Sequence, residues 1–422
     1  MSLASGRLAL GIDFGTSGLR LALVDGQGNA VEGGERASPY PRPFADPTGW
    51  LIGLKALVIS LPSQLRRTIG AICVDGTSGT LLACRPEGHS LGAALPYSLA
   101  CPEQAAAVLA LVPAVSQAAS PSSSLARALR LLGQGWGEPI LLRHQADWLM
   151  GWLLGRWHWG EEGNNLRLGW DLQTGRWLGA ISTQPWSSAL PQIVPSGCQL
   201  GPLSPAAAAA LDLPLDCLVV AGTTDANAAV LAADPSEGDG ITVLGTTLVL
   251  KQFVPDPIMA PGVSCHRIAG QWLAGGASNA GAGVLRRFFS DTQLEALSRQ
   301  IDPGRPSGLN LRPLLAPGER FPVDDPGLEP ILGPRPVSDA LYLQGLLEGL
   351  ALIEAQGWLR LRALGAPPIR RVISLGGGAR NPQWRRLRQQ ALGLPVLNRP
   401  GLSSALGAAK LAWRGLAEQR LE

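Results

Sequence analysis

Short apolar runs broken by glycine turns open the chain. Residues 8–13 and 19–24 are apolar stretches separated by Phe14-Gly15-Thr16-Ser17-Gly18, and a third run begins near Ala30, after the turn Asp25-Gly26-Gln27-Gly28-Asn29. Runs this short, bounded by turn residues, predict an antiparallel meander of strands. Residues 70–75 read as a buried strand with Asp75 at its end, followed by Gly76-Thr77-Ser78-Gly79. The alanine- and leucine-rich stretch 102–132 predicts helix on either side of 120–124, and 141–154 predicts another helix with His144-Gln145-Ala146-Asp147-Trp148 near its start.

The second half repeats the opening. A strand at 218–221 leads through Gly222-Thr223-Thr224 to Asp225 and a small-residue helix, 226–233. Residues 241–244, Gly245-Thr246-Thr247 and 248–254 then form a second strand–turn–strand unit, about 230 residues after the first. Two such hairpins predict two related domains, 1–233 and 234–422, facing a shared cleft. The polar stretch 234–240 is a hinge candidate, and the last helix is expected to pack back on the first domain. Residues 303–336 predict an ordered surface loop and 340–364 a long helix. Residues 371–375 predict a buried strand, ended by Gly376-Gly377-Gly378 before a helix near Pro382.

Composition narrows the function classes. Of the 422 residues 46% are hydrophobic and 16% charged, enough apolar material for large cores. The net charge of +3 carries no basic stripe, so nucleic acid is not an expected partner. The six cysteines form no CxxC pair, no apolar run approaches a membrane span, and the expected location is the cytoplasm.

The chemistry gathers at turns. Backbone N–H groups of Gly15, Thr16 and Ser17, and of Gly245, Thr246 and Thr247, are suited to cradle phosphate oxygens from two sides of one nucleotide; the plainer reading is two structural turns. Asp13, at a strand end, suits a hydrated Mg²⁺ beside phosphates. Asp225 is either the base that accepts a proton from an attacking hydroxyl or a helix cap. Asp75 and Ser78 either hydrogen-bond sugar hydroxyls or belong to a segment that merely turns the chain. His144, Asp147 and Trp148 either line a pocket or start a helix, and Asn381, after Gly376 and Gly377, either caps a helix or hydrogen-bonds a purine. No GxGxxG and no GxxxxGK[ST] motif is present, so the nucleotide site is of another type.

Together these residues resemble the FGGY carbohydrate kinases. Asp13-Phe14-Gly15-Thr16-Ser17 is similar to the family's first phosphate motif and Gly245-Thr246-Thr247 to its second. Asp225 matches the catalytic base, and Gly376-Gly377-Gly378-Ala379-Arg380-Asn381 resembles the adenosine motif. The resemblance implies an α/β fold of two ribonuclease H-like domains, of the actin and hexokinase superfamily, flanking a catalytic cleft. It also implies ATP and Mg²⁺, a sugar acceptor, and a monomer or homodimer. Asp75-Gly76-Thr77-Ser78-Gly79-Thr80-Leu81-Leu82, His144-Gln145-Ala146-Asp147-Trp148-Leu149 and Pro317-Gly318-Glu319-Arg320-Phe321-Pro322 narrow it toward the compact D-ribulose kinases of cyanobacteria and plants. In that group the positions of Asp13, Thr16, Ser78 and Asp225 meet the ketose. The chain departs from many relatives at Pro96-Tyr97-Ser98-Leu99, where they carry Met-Tyr-Asn-Asp. The alternatives are a D-xylulose or polyol kinase, or a degenerate homologue that binds without turnover.

Overall fold

The structure is a computed structural model and describes residues 6–137 and 139–418. The chain divides into two compact units. The first takes in residues up to 232 with 267–270 and the C-terminal stretch from 403; the second takes in 233–266 and 271–402.

In the first unit a six-stranded mixed sheet carries the opening meander: β1 (Leu8–Gly15), β2 (Gly18–Val24), β3 (Arg36–Ser38) and β4 (Ile69–Gly76). β1 pairs antiparallel with β2 and parallel with β4, and the strands Leu218–Val220 and Gln199–Pro202 extend the sheet beyond β4. The third strand is not where the apolar run near Ala30 predicts it. Ala30 makes only an isolated bridge to Val24, and the pairing with β2 falls to Arg36–Ser38, a segment with no hydrophobic pattern to announce it. The predicted helix over 141–154 is also corrected. Leu141–His144 is a strand, antiparallel to Leu81–Cys84, and the helix begins at Gln145. A run of leucines fits either state, and the pairing partner decides between them.

Helix Ser404–Glu418 belongs to this first unit and lies against β1. Its approach is a backbone contact: a side chain on Gly11 would place Cβ 2.1 Å from the Ala405 carbonyl oxygen, and one on Gly407 1.8 Å from that of Ala228.

The second unit repeats the sheet pattern. Asp239–Leu244 pairs antiparallel with Leu248–Val254 and parallel with Arg371–Leu375, as β1 does with β2 and β4, and Val396–Asn398 adds the next parallel strand. Each unit closes over its own apolar core, one around Leu10, Ile12, Phe14 and Trp50, the other around Leu250, Phe321, Leu346 and Trp384. Helix Asp339–Ala363 carries Glu354 into the second core. There Arg388 donates to both Glu354 oxygens at 2.5 and 2.7 Å and to Ser374 Oγ at 2.7 Å, and Thr242 Oγ1 donates to Glu354 at 2.6 Å. Both ionic side chains are almost fully buried. No helix among the described residues is long and apolar enough to cross a membrane.

A buried ion pair costs most when one partner is left alone. Arg388→Met should therefore lower the stability of the second unit by about 3–5 kcal/mol in urea unfolding, and Glu354→Leu added to it should recover most of that loss. A single-variant loss below about 1 kcal/mol would mean that the pair behaves as an exposed one.

Candidate active site

Asp13 lies near the end of β1 and faces Arg20 across the hairpin. Arg20 donates to Asp13 Oδ2 at 3.0 Å and to Ser17 Oγ at 3.3 Å, tying the turn to the strand. Gly15 is buried while Thr16 and Ser17 are exposed, so the turn offers its hydroxyls to solvent. From β3's far side Tyr40 donates to the Gly15 carbonyl at 2.9 Å.

The parallel register of β1 and β4 sets Asp13 beside Asp75. The two carboxyls are within hydrogen-bonding reach, and burial followed by the Asp13 charge holds Asp75 well above the usual carboxylate range. Apart from each other, Asp13 Oδ1 and both Asp75 oxygens are buried with no hydrogen-bond partner in the protein.

Asp225 reaches the same place from another strand. Strand Leu218–Val220 runs parallel to β4, and the following turn hugs β4's end: a Cβ on Gly222 would sit 1.8 Å from the Val74 carbonyl oxygen. A bridge between Gly76 and Thr224 continues the pairing. Helix Asp225–Ala233 then starts with its first carboxylate at the sheet edge. Asp225 accepts from Ala226 N–H at 2.8 Å, and its main-chain oxygen accepts from Ser404 Oγ at 3.0 Å. The residue keeps some open surface, but its carboxyl lies deep among protein atoms. Burial pushes its pKa up to about 6, the Asp13 charge adds to that, and the Ala226 and Ser78 N–H groups pull against it.

Asp13, Asp75, Ser78 and Asp225 are thus gathered in one place within the first unit. His144, Asp147 and Trp148 are committed to the interior instead. His144 Nε2 pairs with Ser124 Oγ at 2.9 Å, Asp147 accepts from Glu161 N–H and Asn165 Nδ2, and Trp148 Nε1 donates to the Gly88 carbonyl. Of their two readings, the helix start is the one the contacts support. The Pro96–Leu99 departure is also held by the fold. Tyr97 N–H donates to Thr80 Oγ1, and the buried Arg127 donates to the carbonyls of Tyr97, Gly79 and Ser122.

In the second unit the turn 245–247 is braced by a glycine-rich segment. Ala282 N–H donates to the Gly245 carbonyl at 2.9 Å and Gly283 N–H to that of Thr246 at 3.1 Å. Gly376, at φ 82°, packs on Leu244 at the base of this hairpin, where a Cβ would meet the Leu244 carbonyl oxygen at 2.8 Å. Gly377 is exposed beside it. Asn381 is a helix cap: its Oδ1 accepts from Gln383 and Trp384 N–H groups, both at 3.0 Å, and its Nδ2 donates to Ser298 Oγ.

Sequence reasoning passed over Arg20, Tyr40 and Gln145. Arg20 was within reach, since Asp13 and Arg20 are equally far from the turn centre between residues 16 and 17 and must face each other in a tight hairpin.

Residues 240–416 match the C-terminal domain of the FGGY family of carbohydrate kinases. The xylulose kinase of Klebsiella pneumoniae is 25% identical over 96% of this chain and 89% of its own length. A crystal structure named as a “xyloylose kinase” from Brucella ovis aligns at a TM-score of 0.85 and 23% identity, over 98% of this chain and 91% of that one. The gluconate kinase of Lactobacillus acidophilus aligns at 0.81 and 17%, over 98% and 90%. These likenesses bear out the expected two-domain α/β fold, while none of the three carries the name of a ribulose kinase. Residues 240–416 thus match the C-terminal domain of the FGGY family of carbohydrate kinases, and the chain as a whole shares the fold of these solved structures.

Proposed function

We propose that this chain transfers the terminal phosphoryl group of ATP to a hydroxyl of a small ketose, with D-ribulose the first candidate. The observation that carries the reading is Asp225, a carboxylate with pKa near 6 in the same buried cluster as Asp13 and Asp75. A base poised just below neutrality is ionised at working pH yet still basic enough to accept the proton of an attacking hydroxyl. As that oxygen bonds to the γ-phosphorus, the bond from phosphorus to the ADP oxygen breaks, and the proton stays on Asp225.

The other residues position and neutralise. Gly15, Thr16 and Ser17 in one unit, and Gly245, Thr246 and Thr247 in the other, present turn donors to the phosphates. Gly376 and Gly377 leave room for the flat adenosine end, and Asn381 fixes the start of the helix beside it. Asp75 and Ser78, with Asp13, Thr16 and Asp225, meet the sugar. Among the described residues no cluster of three or more His, Cys, Asp or Glu side chains holds a metal alone. Asp13, with one buried oxygen unpaired, fits the single carboxylate that Mg²⁺ takes alongside phosphates and waters. Mg²⁺ bound there neutralises phosphate charge.

The choice of ketose rests on the motifs at 75–82, 144–149 and 317–322. D-xylulose is the second reading, favoured by the names of the relatives from Klebsiella and Brucella. A coupled assay of ADP release across C3 to C6 sugars and polyols separates them by kcat/KM. Sugar-independent binding with no ADP release would instead mark a degenerate homologue.

Asp225→Ala should lower kcat by about 10²–10⁴-fold while circular dichroism shows the fold intact. Near-normal turnover in that variant would remove Asp225 from the mechanism. In the wild type, log kcat/KM should fall with unit slope as pH drops through about 6, because protonated Asp225 accepts no proton.

The raised pKa also has a consequence for stability. Between the ordinary value of 3.8 and about 6, the unfolded chain loses this proton while the folded one keeps it, so stability falls as pH rises through that window. Asp225→Asn should therefore raise the melting temperature at pH 7, and the gain should vanish near pH 3.5. An equal gain at both pH values would mean that the carboxyl is not perturbed.

A further inference from the structure

Glu319, in the loop Pro317-Gly318-Glu319-Arg320-Phe321-Pro322 of the second unit, is buried. Its Oε1 accepts from the backbone N–H groups of Asn279 at 2.7 Å and Arg320 at 2.9 Å, with a longer contact from Phe321 N–H at 3.4 Å. Its Oε2 accepts from the Ser278 hydroxyl at 2.5 Å. These donors are neutral, and the neighbouring Arg320 gives its Nε to the Ala277 carbonyl at 2.7 Å instead. A carboxylate taken out of water is costly unless hydrogen bonds replace its hydration, and here backbone groups replace it.

The segment that Glu319 grips is the brace behind the 245–247 turn. Ser278 Oγ accepts from Ala280 N–H at 2.9 Å, Ser278 N–H donates to the Leu248 carbonyl at 2.9 Å, and Leu248 N–H donates to that of Ala280 at 2.7 Å. Next along the chain Gly281 is pressed onto the turn, where a Cβ would lie 2.4 Å from the Thr246 carbonyl oxygen, and Ala282 and Gly283 hold the carbonyls of Gly245 and Thr246. A trans peptide carries its C=O and N–H on opposite sides. Fixing those two carbonyls against the brace therefore turns the N–H groups of Thr246 and Thr247 away from it. Among the described residues neither N–H has an acceptor. At the other end of the clamp Phe321 is anchored in the core, so close to Gly276 that a Cβ there would lie 2.3 Å from its ring.

We propose that Glu319 is a positioning residue for the nucleotide: by clamping Ser278 and Asn279 to the loop, it fixes the brace that aims the Thr246 and Thr247 N–H groups at phosphate oxygens. The assignment rests on the reading of 245–247 as a phosphate turn and adds to it the residue that holds the turn in shape. Glu319 itself touches no substrate.

The test compares Glu319→Ala, which removes the clamp, with Glu319→Gln, which keeps an oxygen for the Asn279 and Arg320 N–H groups. In Glu319→Ala the affinity for Mg-ADP, read by calorimetric titration without sugar, should fall about 10–100-fold, as a small misplacement of binding groups costs. The affinity for the ketose alone should stay within about twofold, because the residues assigned to it lie in the first unit. Glu319→Gln should lose less than Glu319→Ala. Unchanged Mg-ADP affinity in a Glu319→Ala protein that melts normally overturns the inference and leaves the phosphate-turn reading standing. Equal losses for ketose and nucleotide, with lowered melting in both variants, make Glu319 purely structural and overturn it too. A wild-type protein that does not bind Mg-ADP removes the phosphate-turn reading, and this inference with it.

Discussion

The parallel register of β1 on β4 is the constraint on which the rest of the site depends. It sets Asp13 against Asp75 in the interior, with Arg20 paired to Asp13. Two like charges at close range in a medium of low dielectric do not both persist, and Asp75 is accordingly the carboxyl driven toward its neutral form. A shift of one residue in this pairing would turn Asp75 to the opposite face of the sheet and dissolve the cluster. The Arg20 bridge and Tyr40 hold the end of β1, and the backbone contact of Gly222 with Val74 holds the end of β4 against the turn that delivers Asp225.

The two units treat buried charge in opposite ways. In the second, Glu354 and Arg388 satisfy each other, and Thr242 and Ser374 take part in the same network. In the first, three carboxylates converge, and several of their oxygens face no donor of the protein. A paired network holds a core together, whereas an unpaired one is tolerated where a ligand completes it.

Much of this was legible in the sequence because the decisive residues sit beside turns. Gly-Thr turns between apolar runs fix both hairpins, and Asp13, Asp75 and Asp225 stand out as carboxylates at the ends of buried strands. What escaped depends on partners far along the chain. Leu141–His144 is a strand because Leu81–Cys84 pairs with it, and Gln145 is held by Thr77 from 68 residues away. His144, Asp147 and Trp148 carry chemically active groups, but the fold spends them on Ser124, Glu161, Asn165 and Gly88. Sequence spacing alone does not separate a polar residue that serves a ligand from one that serves the interior.

The central claim is phosphoryl transfer to a ketose, and ³¹P NMR of the protein incubated with ATP, Mg²⁺ and D-ribulose or D-xylulose tests it most directly. The account predicts a phosphomonoester resonance that grows in step with ADP, with little inorganic phosphate. Intact ATP, or inorganic phosphate released at the same rate with and without the ketose, would contradict it.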